Sequence, residues 1–128
     1  MEFIDLGAQR RHLKTLDQRM SAILAHSKFI MGPEIEELER RLSNYVGVKH
    51  SVSVANGTDA LQIAMMAAGI QPGDEIITTS FSFFATVETI LLLGAKPVFA
   101  DIDPHTYNLN PNQIEKLITP KTQMILPV

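Results

Sequence analysis

Residues 75–101, EIITTSFSFFATVETILLLGAKPVFAD, decide the fold because two β-rich runs flank one helical segment. The runs cover residues 75–80 and 96–101, and the helical segment covers about residues 83–93. A strand, a helix and a second strand in this order favour a βαβ unit, in which the helix crosses over between parallel strands. This stretch therefore predicts a parallel sheet.

The same alternation continues on both sides of that stretch. Further β-rich runs cover residues 51–55 and 123–128, and helical segments cover residues 58–68 and 111–118. Helices that connect successive parallel strands cover both faces of the sheet. We therefore predict an α/β fold with a doubly wound, mainly parallel sheet over residues 51–128.

Residues 1–50 have a different, helical pattern and are predicted to form a separate N-terminal segment. Apolar residues recur every three or four positions in two stretches, residues 8–26 and 32–47. In the second stretch Pro33 fits the first helical position, and Gly47 suits the end of the helix. We expect two surface helices, each with one buried face formed by these apolar residues: Leu13, Leu16, Met20, Ile23 and Leu24 in the first, and Ile35, Leu38, Leu42 and Tyr45 in the second.

The composition argues against several classes of function. The net charge is −3 and like charges do not cluster, so no nucleic-acid or anionic-membrane partner is expected. The chain has no cysteine and its four histidines are scattered, which argues against disulfides and structural zinc. No apolar run approaches the roughly 18 residues of a membrane-spanning helix, and the first residues do not resemble a secretion signal. We therefore expect a cytoplasmic protein.

The first strand-to-helix junction carries Asn56, Gly57, Thr58 and Asp59. Ligands of parallel sheets bind at such junctions, where helix dipoles attract anions. Gly57 lets the backbone approach a ligand, and Thr58 offers both an N–H group and a hydroxyl, so this turn can hold a phosphate. Alternatively, Asn56 or Thr58 only caps the helix, while the other residues serve the turn and the dipole. The residues alone leave both interpretations open.

The second junction is rich in aromatic residues: Phe81, Phe83 and Phe84. The neighbouring Ser82, Ala85 and Thr86 are small enough to leave one ring face uncovered. One of the phenylalanines can therefore stack on a planar ligand. The alternative is that all three rings belong to the core.

The third junction places Asp101 and Asp103 at the end of a strand. Such a pair can hold a divalent cation bound to a sugar nucleotide. Alternatively, the carboxylates accept hydrogen bonds from loop N–H groups, since Pro104 and residues 108–111 are typical of turns. We favour the capping interpretation and assign no metal ligand.

Segments from nearly the whole chain carry a family resemblance, in order and at a matching spacing. These segments are FIDLGAQ, FIMGPEIEELERRLSNYVG, SVANGTDAL, PGDEIITTSFSFFATVETILLLGAKPVFADID, TYNLNPNQIEKLITPKT and ILPV. Together they resemble the first third of the sugar aminotransferases of the DegT/DnrJ/EryC1/StrS family. Their details are most similar to the members that aminate UDP-2-acetamido-2-deoxy-3-oxo-glucuronate, although members acting on other 3- and 4-ketosugars share much of the pattern.

The resemblance implies a fold, a cofactor and a reaction. The fold is the N-terminal part of the large domain of the aspartate aminotransferase-like (fold type I) enzymes, and the cofactor is pyridoxal 5′-phosphate. The reaction transfers an amino group from glutamate to the keto group of a UDP- or dTDP-linked ketosugar, for surface polysaccharides such as the O-antigen of lipopolysaccharide. The family works as homodimers, so a homodimer is implied as well.

The resemblance also assigns cofactor-binding residues. In that family the Asn-Gly-Thr-Asp turn holds the phosphate of the cofactor. This implies that Gly57 and Thr58 bind it, mainly through backbone N–H groups and the Thr58 hydroxyl. Asn56 and Asp59 of the same turn are likewise expected to be cofactor-binding residues. The aromatic residue of a Ser-aromatic-x-Ala-Thr segment stacks on the pyridine ring in the family, and in this sequence that position falls on Phe83.

The same resemblance puts the Schiff-base lysine of the family downstream of Val128. No catalytic residue is therefore predicted within the chain, and none of its lysines is assigned that role: Lys14, Lys28, Lys49, Lys96, Lys116 and Lys121. The last β-rich run reaches Val128 without a polar tail, and a buried strand needs neighbouring structure. We expect the chain to be the N-terminal portion of a longer protein and to be inactive alone.

Two other classes of function remain open from the sequence. A metal site at Asp101 and Asp103 would fit a metal-dependent nucleotide-sugar glycosyltransferase. A non-catalytic regulator could keep the α/β cofactor fold without the lysine. Manganese-dependent binding of a UDP-sugar would favour the first alternative, and ligand binding without turnover would favour the second.

Overall fold

The computed structural model describes residues 4–13 and 15–128. The chain divides into two compact units, Met1–Ser53 and Val54–Val128. In the described ranges, the first unit contains three α-helices, and the second contains two α-helices, three strands and two short 3-10 helices. None of the helices in these ranges is long and apolar enough to cross a membrane.

The first unit is helical, as its sequence pattern predicts. Its helices are α1 (Leu6–His12), α2 (Leu16–His26) and α3 (Pro33–Val46). Pro33 occupies the first turn of α3, and Gly47 ends this helix in the left-handed conformation (φ 77°), donating its N–H to the carbonyl oxygen of Ser43 (2.9 Å). The predicted boundaries of α3 are therefore confirmed.

The prediction of one continuous helix over residues 8–26 is wrong. The N–H of Leu13 donates to the carbonyl oxygen of Arg10 (3.0 Å), which closes α1 early, and α2 starts again at Leu16. Thr15 is the residue just before α2, and Asp17 lies in its first turn, where the helix dipole favours a carboxylate. The apolar period thus continues across a break between two helices.

The predicted buried faces of these helices are also wrong for the described chain. Neither α2 nor α3 contains a buried residue. Apolar side chains on both helices stay exposed, including Met20, Leu24, Leu38 and Tyr45. An apolar stripe is buried only where another element covers it, and the described residues provide no such cover here.

The second unit contains the parallel sheet. Its helices are α4 (Gly57–Ala67) and α5 (Ala85–Leu92), and its strands are β1 (Glu75–Thr79), β2 (Lys96–Ala100) and β3 (Thr122–Ile125). The strand order is β2-β1-β3, and β1 is parallel to both neighbours. This arrangement confirms the predicted α/β fold with a parallel sheet.

Core packing follows from the alternation of side chains along β1. Ile76 points to the face where it packs with Met65 of α4 and Ile90 of α5. The next residue, Ile77, points to the opposite face and packs with Ala100 and Leu109. All five residues of β1 are buried, as expected for a central strand of a parallel sheet.

Two predicted elements of this region differ in the structure. Residues 51–55 do not form a strand, and the N–H of Ser53 donates to Oε1 of Glu39 (2.7 Å) instead of to a neighbouring strand. The segment 111–118 forms two 3-10 helices, Pro111–Gln113 and Glu115–Leu117, instead of one α-helix. Short 3-10 helices are common connectors, and this segment covers the second face of the sheet with Ile114 and Leu117.

A buried carboxylate fixes the N-terminal end of β1. Glu75 accepts hydrogen bonds from Oγ1 of Thr119 (2.7 Å) and from Nζ of Lys96 (3.0 Å), and its own N–H donates to the carbonyl oxygen of Lys121 (2.8 Å). The Thr119 hydroxyl is the main reason that the pKa of Glu75 lies below its usual 4.5, followed by the Lys96 ammonium group. The carboxylate therefore joins β1 to Lys96 of β2 and to Thr119 in the segment that precedes β3.

We predict that Glu75→Gln makes the fold less stable at neutral pH and less sensitive to acid. A carboxylate whose pKa is lowered by folding stabilises the fold above its unfolded pKa, and this contribution is lost as the pH falls through the lower, folded value. The difference in unfolding free energy between wild type and Glu75→Gln should therefore shrink as the pH drops below 4.5. Urea unfolding of both proteins at a series of pH values measures this difference in free energy.

The exposed Glu88 on α5 provides the control, because Glu88→Gln removes a charge without removing a buried contact. A pH-independent difference between Glu75→Gln and wild type would contradict the assigned role of the Glu75 carboxylate.

Candidate functional site

A cavity of about 490 Å³ lies between the N-terminus of α4 and the loop that precedes α5, beside the carboxyl ends of the strands. Three residues that the sequence singled out, Gly57, Thr58 and Phe83, line this cavity together. Parallel sheets place their ligand sites at this end of the strands. The remaining lining residues are Leu61, Ser82, Ala85, Thr86 and Val128.

The start of α4 leaves two backbone donors for a ligand. Its first intrahelical bond runs from the N–H of Ala60 to the carbonyl oxygen of Asn56 (3.1 Å), so the three preceding N–H groups lie outside the helical pattern. The Asn56 side chain accepts the N–H of Asp59 through Oδ1 (2.9 Å). The N–H groups of Gly57 and Thr58 remain at the positive end of the helix dipole.

Gly57 keeps the approach to these donors open. A Cβ atom built on Gly57 would meet no heavy atom within 4 Å. The surrounding protein therefore does not require glycine at this position for steric reasons. The missing side chain leaves space that the oxygen atoms of a bound anion can occupy.

The side chains of Asn56 and Asp59 are hydrogen-bonded to each other. In addition to the N–H bond described above, Nδ2 of Asn56 donates to Oδ2 of Asp59 (3.2 Å). Asn56 is therefore the N-cap residue of α4, as the simpler interpretation of the turn predicts. This capping uses only the third N–H group and is compatible with an anion at the first two.

The three phenylalanines of the second junction are not core residues. Their side chains are exposed by 61% (Phe81), 80% (Phe83) and 65% (Phe84). The ring of Phe81 packs against Tyr107, with 5.7 Å between ring centroids. Phe84 lines a neighbouring hollow together with Phe99, and Phe83 borders this hollow as well. Only Phe83 of the three lines the cavity with Gly57 and Thr58.

Small polar residues shape the loop that carries Phe83. The N–H of Phe81 donates to Oγ1 of Thr79 (3.2 Å), directly after β1 ends. The hydroxyls of Ser82 and Thr86 lie 3.3 Å apart, and Thr86 is buried. These contacts fix the loop on both sides of the ring, so Phe83 stays at the cavity although little protein covers it.

Two lining residues, Leu61 and Val128, were not predicted. Leu61 follows Gly57 by four positions and therefore lies on the same face of α4, which helical spacing could have indicated. Val128 reaches the cavity because β3 pairs directly with β1, with the N–H of Leu126 donating to the carbonyl oxygen of Ile77 (2.8 Å). No sequence pattern indicates this strand order.

The carboxylates of the third junction act as loop caps. Oδ1 of Asp103 accepts the N–H groups of His105 (2.8 Å) and Thr106 (3.1 Å). Oδ1 of Asp101 accepts the N–H of Ile102 (2.8 Å). The capping interpretation of these two residues is thereby confirmed.

Known proteins of curated function match nearly the full chain. The chain is 54% identical to the UDP-2-acetamido-2-deoxy-3-oxo-D-glucuronate aminotransferase of Pseudomonas aeruginosa, covering 100% of the chain and 36% of that protein. It is 46% identical to a pleiotropic regulatory protein of Geobacillus stearothermophilus, covering 98% of the chain and 34% of that protein. The chain thus spans about a third of the length of these relatives.

Solved structures have the same fold. A DegT DnrJ EryC1 StrS aminotransferase from Brucella abortus superposes with a TM-score of 0.93 at 44% identity, over 99% of this chain and 36% of that one. NtdA from Bacillus subtilis, solved with the cofactor PMP bound, superposes with a TM-score of 0.85 at 38% identity, over 97% of this chain and 28% of that one. The chain has the fold of these aminotransferases, which is fold type I.

A family model provides a further comparison. The model of the DegT/DnrJ/EryC1/StrS aminotransferase family matches residues 11–128. This range includes the complete second unit and every residue that lines the cavity. The chain therefore belongs to the DegT/DnrJ/EryC1/StrS aminotransferase family.

Proposed function

We propose that this chain forms the cofactor-binding start of a pyridoxal-phosphate-dependent aminotransferase. Family membership supports the proposal, because aminotransferases of this family use pyridoxal phosphate. One observation carries it: two helix N–H groups and one exposed aromatic ring meet at a single cavity, at Gly57, Thr58 and Phe83. The N–H groups suit a phosphate, and the ring suits a planar heterocycle.

Gly57 and Thr58 would hold the phosphate. Their N–H groups donate along the axis of α4, where the dipole adds to the attraction, and the Thr58 hydroxyl can provide a further donor. The open space at the Gly57 Cβ position fits the oxygen atoms of the phosphate. These contacts would orient the group without covalent attachment.

Phe83 would hold the ring. Pyridoxal phosphate, when bound, supplies the electron sink that allows an amino group to be exchanged. Phe83 would cover one face of the heterocycle and shield that face from water, and the contact between Ser82 and Thr86 supports the loop that carries the ring. We assign no covalent role to any lysine of this chain.

The proposed acceptor is a nucleotide-linked ketosugar, for which the best candidate is UDP-2-acetamido-2-deoxy-3-oxo-D-glucuronate. The 54% identity to the aminotransferase that carries this substrate in its name supports the choice. Glutamate would be the amino donor, so that the keto carbon becomes an amine while glutamate becomes 2-oxoglutarate. We propose that the whole protein acts as a cytoplasmic homodimer in the synthesis of a surface polysaccharide such as an O-antigen.

A regulator is the second candidate function. The 46% identity to a pleiotropic regulatory protein favours it. A regulator would bind pyridoxal phosphate or the ketosugar without converting either. The glycosyltransferase alternative has no comparable support, since Asp101 and Asp103 cap their own loop and the family is one of aminotransferases.

The whole protein, loaded with pyridoxal phosphate, should convert the UDP-linked ketosugar in the presence of glutamate. Mass spectrometry should detect the amino sugar, and a coupled assay should detect an equal amount of 2-oxoglutarate. Binding of the cofactor without turnover of UDP- or dTDP-linked ketosugars would instead support the regulator. Replacing glutamate by other amino acids tests the choice of donor.

Phe83→Ala should weaken cofactor binding while leaving the fold intact. Loss of one stacking contact costs about 1 kcal/mol, or about fivefold in Kd. The ring is 80% exposed, so its removal should change the unfolding free energy little. Titration of the apo-protein with pyridoxal phosphate measures the Kd. Phe84→Ala is the matched control, because Phe84 does not line the cavity that contains Gly57 and Thr58. Equal effects of both substitutions would exclude a specific role of Phe83.

Gly57→Ala should separate stability from binding. The added methyl group meets no protein atom, and alanine is the better helix former, so the unfolding free energy should stay equal or rise. The same methyl group would lie where the phosphate oxygens approach, so the Kd for pyridoxal phosphate should increase. An unchanged Kd for pyridoxal phosphate would show that the phosphate lies elsewhere.

A further inference from the structure

The start of α4 raises an electrostatic problem for the proposed cofactor site. Asp59 lies in the first turn of this helix, and its carboxylate is attracted by the same dipole as a phosphate. A free carboxylate there would repel a bound phosphate and could itself accept the N–H groups of Gly57 and Thr58. A phosphate site at this helix therefore needs the carboxylate to be held away.

We propose that Asn56 is a positioning residue that keeps the Asp59 carboxylate away from the two phosphate-binding N–H groups. The inference rests on the proposed function, because it concerns the phosphate of pyridoxal phosphate. Asn56 would not contact the cofactor. It acts on the cofactor through Asp59.

The geometry provides two contacts for this role. Oδ1 of Asn56 accepts the backbone N–H of Asp59 (2.9 Å), and Nδ2 of the same amide donates to Oδ2 of Asp59 (3.2 Å). The first bond anchors the amide to the helix. The second bond directs the carboxylate towards the cap and partly satisfies its charge. The Asn56 side chain thus accepts the N–H of Asp59 and also binds the Asp59 carboxylate. This carboxylate would otherwise compete with the phosphate for the N–H groups of Gly57 and Thr58.

The identity of the cap residue fits this role. Helix starts are capped about equally well by asparagine, aspartate and serine, so capping alone does not require an amide. Aspartate has no donor at neutral pH and would add a second negative charge beside the phosphate. The amide accepts with one atom, donates with another and carries no charge.

The size of the effect follows from charges at helix ends. A single charge at such a position changes a binding constant by about two- to fivefold at low ionic strength. Salt screens the repulsion between the carboxylate and the phosphate, whereas it does not screen in the same way the loss of helix stability that follows the removal of a cap. Ionic strength therefore distinguishes positioning of the carboxylate from simple support of the helix.

The test is a double-mutant cycle with Asn56→Gly and Asp59→Asn. Glycine at the cap costs only a few tenths of a kcal/mol in helix stability, so all four proteins should fold. Measured unfolding free energies check that all four proteins are folded. Each apo-protein is titrated with pyridoxal 5′-phosphate and, as a control without the phosphate, with pyridoxal.

We expect Asn56→Gly to raise the Kd for pyridoxal phosphate about two- to fivefold when residue 59 is aspartate, and to have little effect in the Asp59→Asn background. The Kd for pyridoxal should not respond, and added salt should reduce the difference. An equal loss in both backgrounds, or no loss in either, would overturn the inference while leaving the proposed function in place. A wild-type protein that binds pyridoxal phosphate no better than pyridoxal would overturn both.

Discussion

The central strand β1 is the constraint on which the rest of the second unit depends. Its five residues are all buried, and hydrogen bonds join it to β2 on one side and β3 on the other. A slip of one residue would exchange Ile76 and Ile77 between the two cores, so both cores fix its register. The register determines where β1 ends, and this end determines where the loop with Phe83 begins. The position of the candidate site is thus a consequence of core packing.

Capping and anion binding are compatible at the start of α4 because they use different donors. A helix start presents more free N–H groups than one cap residue can satisfy. Asn56 accepts the third of these groups and leaves those of Gly57 and Thr58. From the sequence alone, helix capping and phosphate binding at this turn were alternatives. The structure shows that the cap exists and that it leaves the first two donors available.

Local patterns predicted the features that local interactions decide. The strands β1 and β2 and the helices α4 and α5 were located from apolar runs and turn residues. The first strand-to-helix junction pointed to Gly57 and Thr58, whereas Phe83 was chosen among the phenylalanines of the second junction only through the family resemblance. Residues 51–55 have a similar alternation but form no strand, because a strand exists only where another backbone pairs with it. The apolar side of α3 likewise depends on a neighbour that its own sequence does not specify. Val128 reaches the cavity only through the order of strands, which is a non-local property.

The order β2-β1-β3 also determines how this sheet can grow. In the described part of the chain β2 and β3 are the outer strands, so each presents one row of unpaired backbone N–H and C=O groups. Additional strands can join at either side by ordinary parallel or antiparallel pairing. The central strand would keep both its partners in such an extension. A wider sheet could therefore be assembled while the loop that follows β1 keeps its starting point.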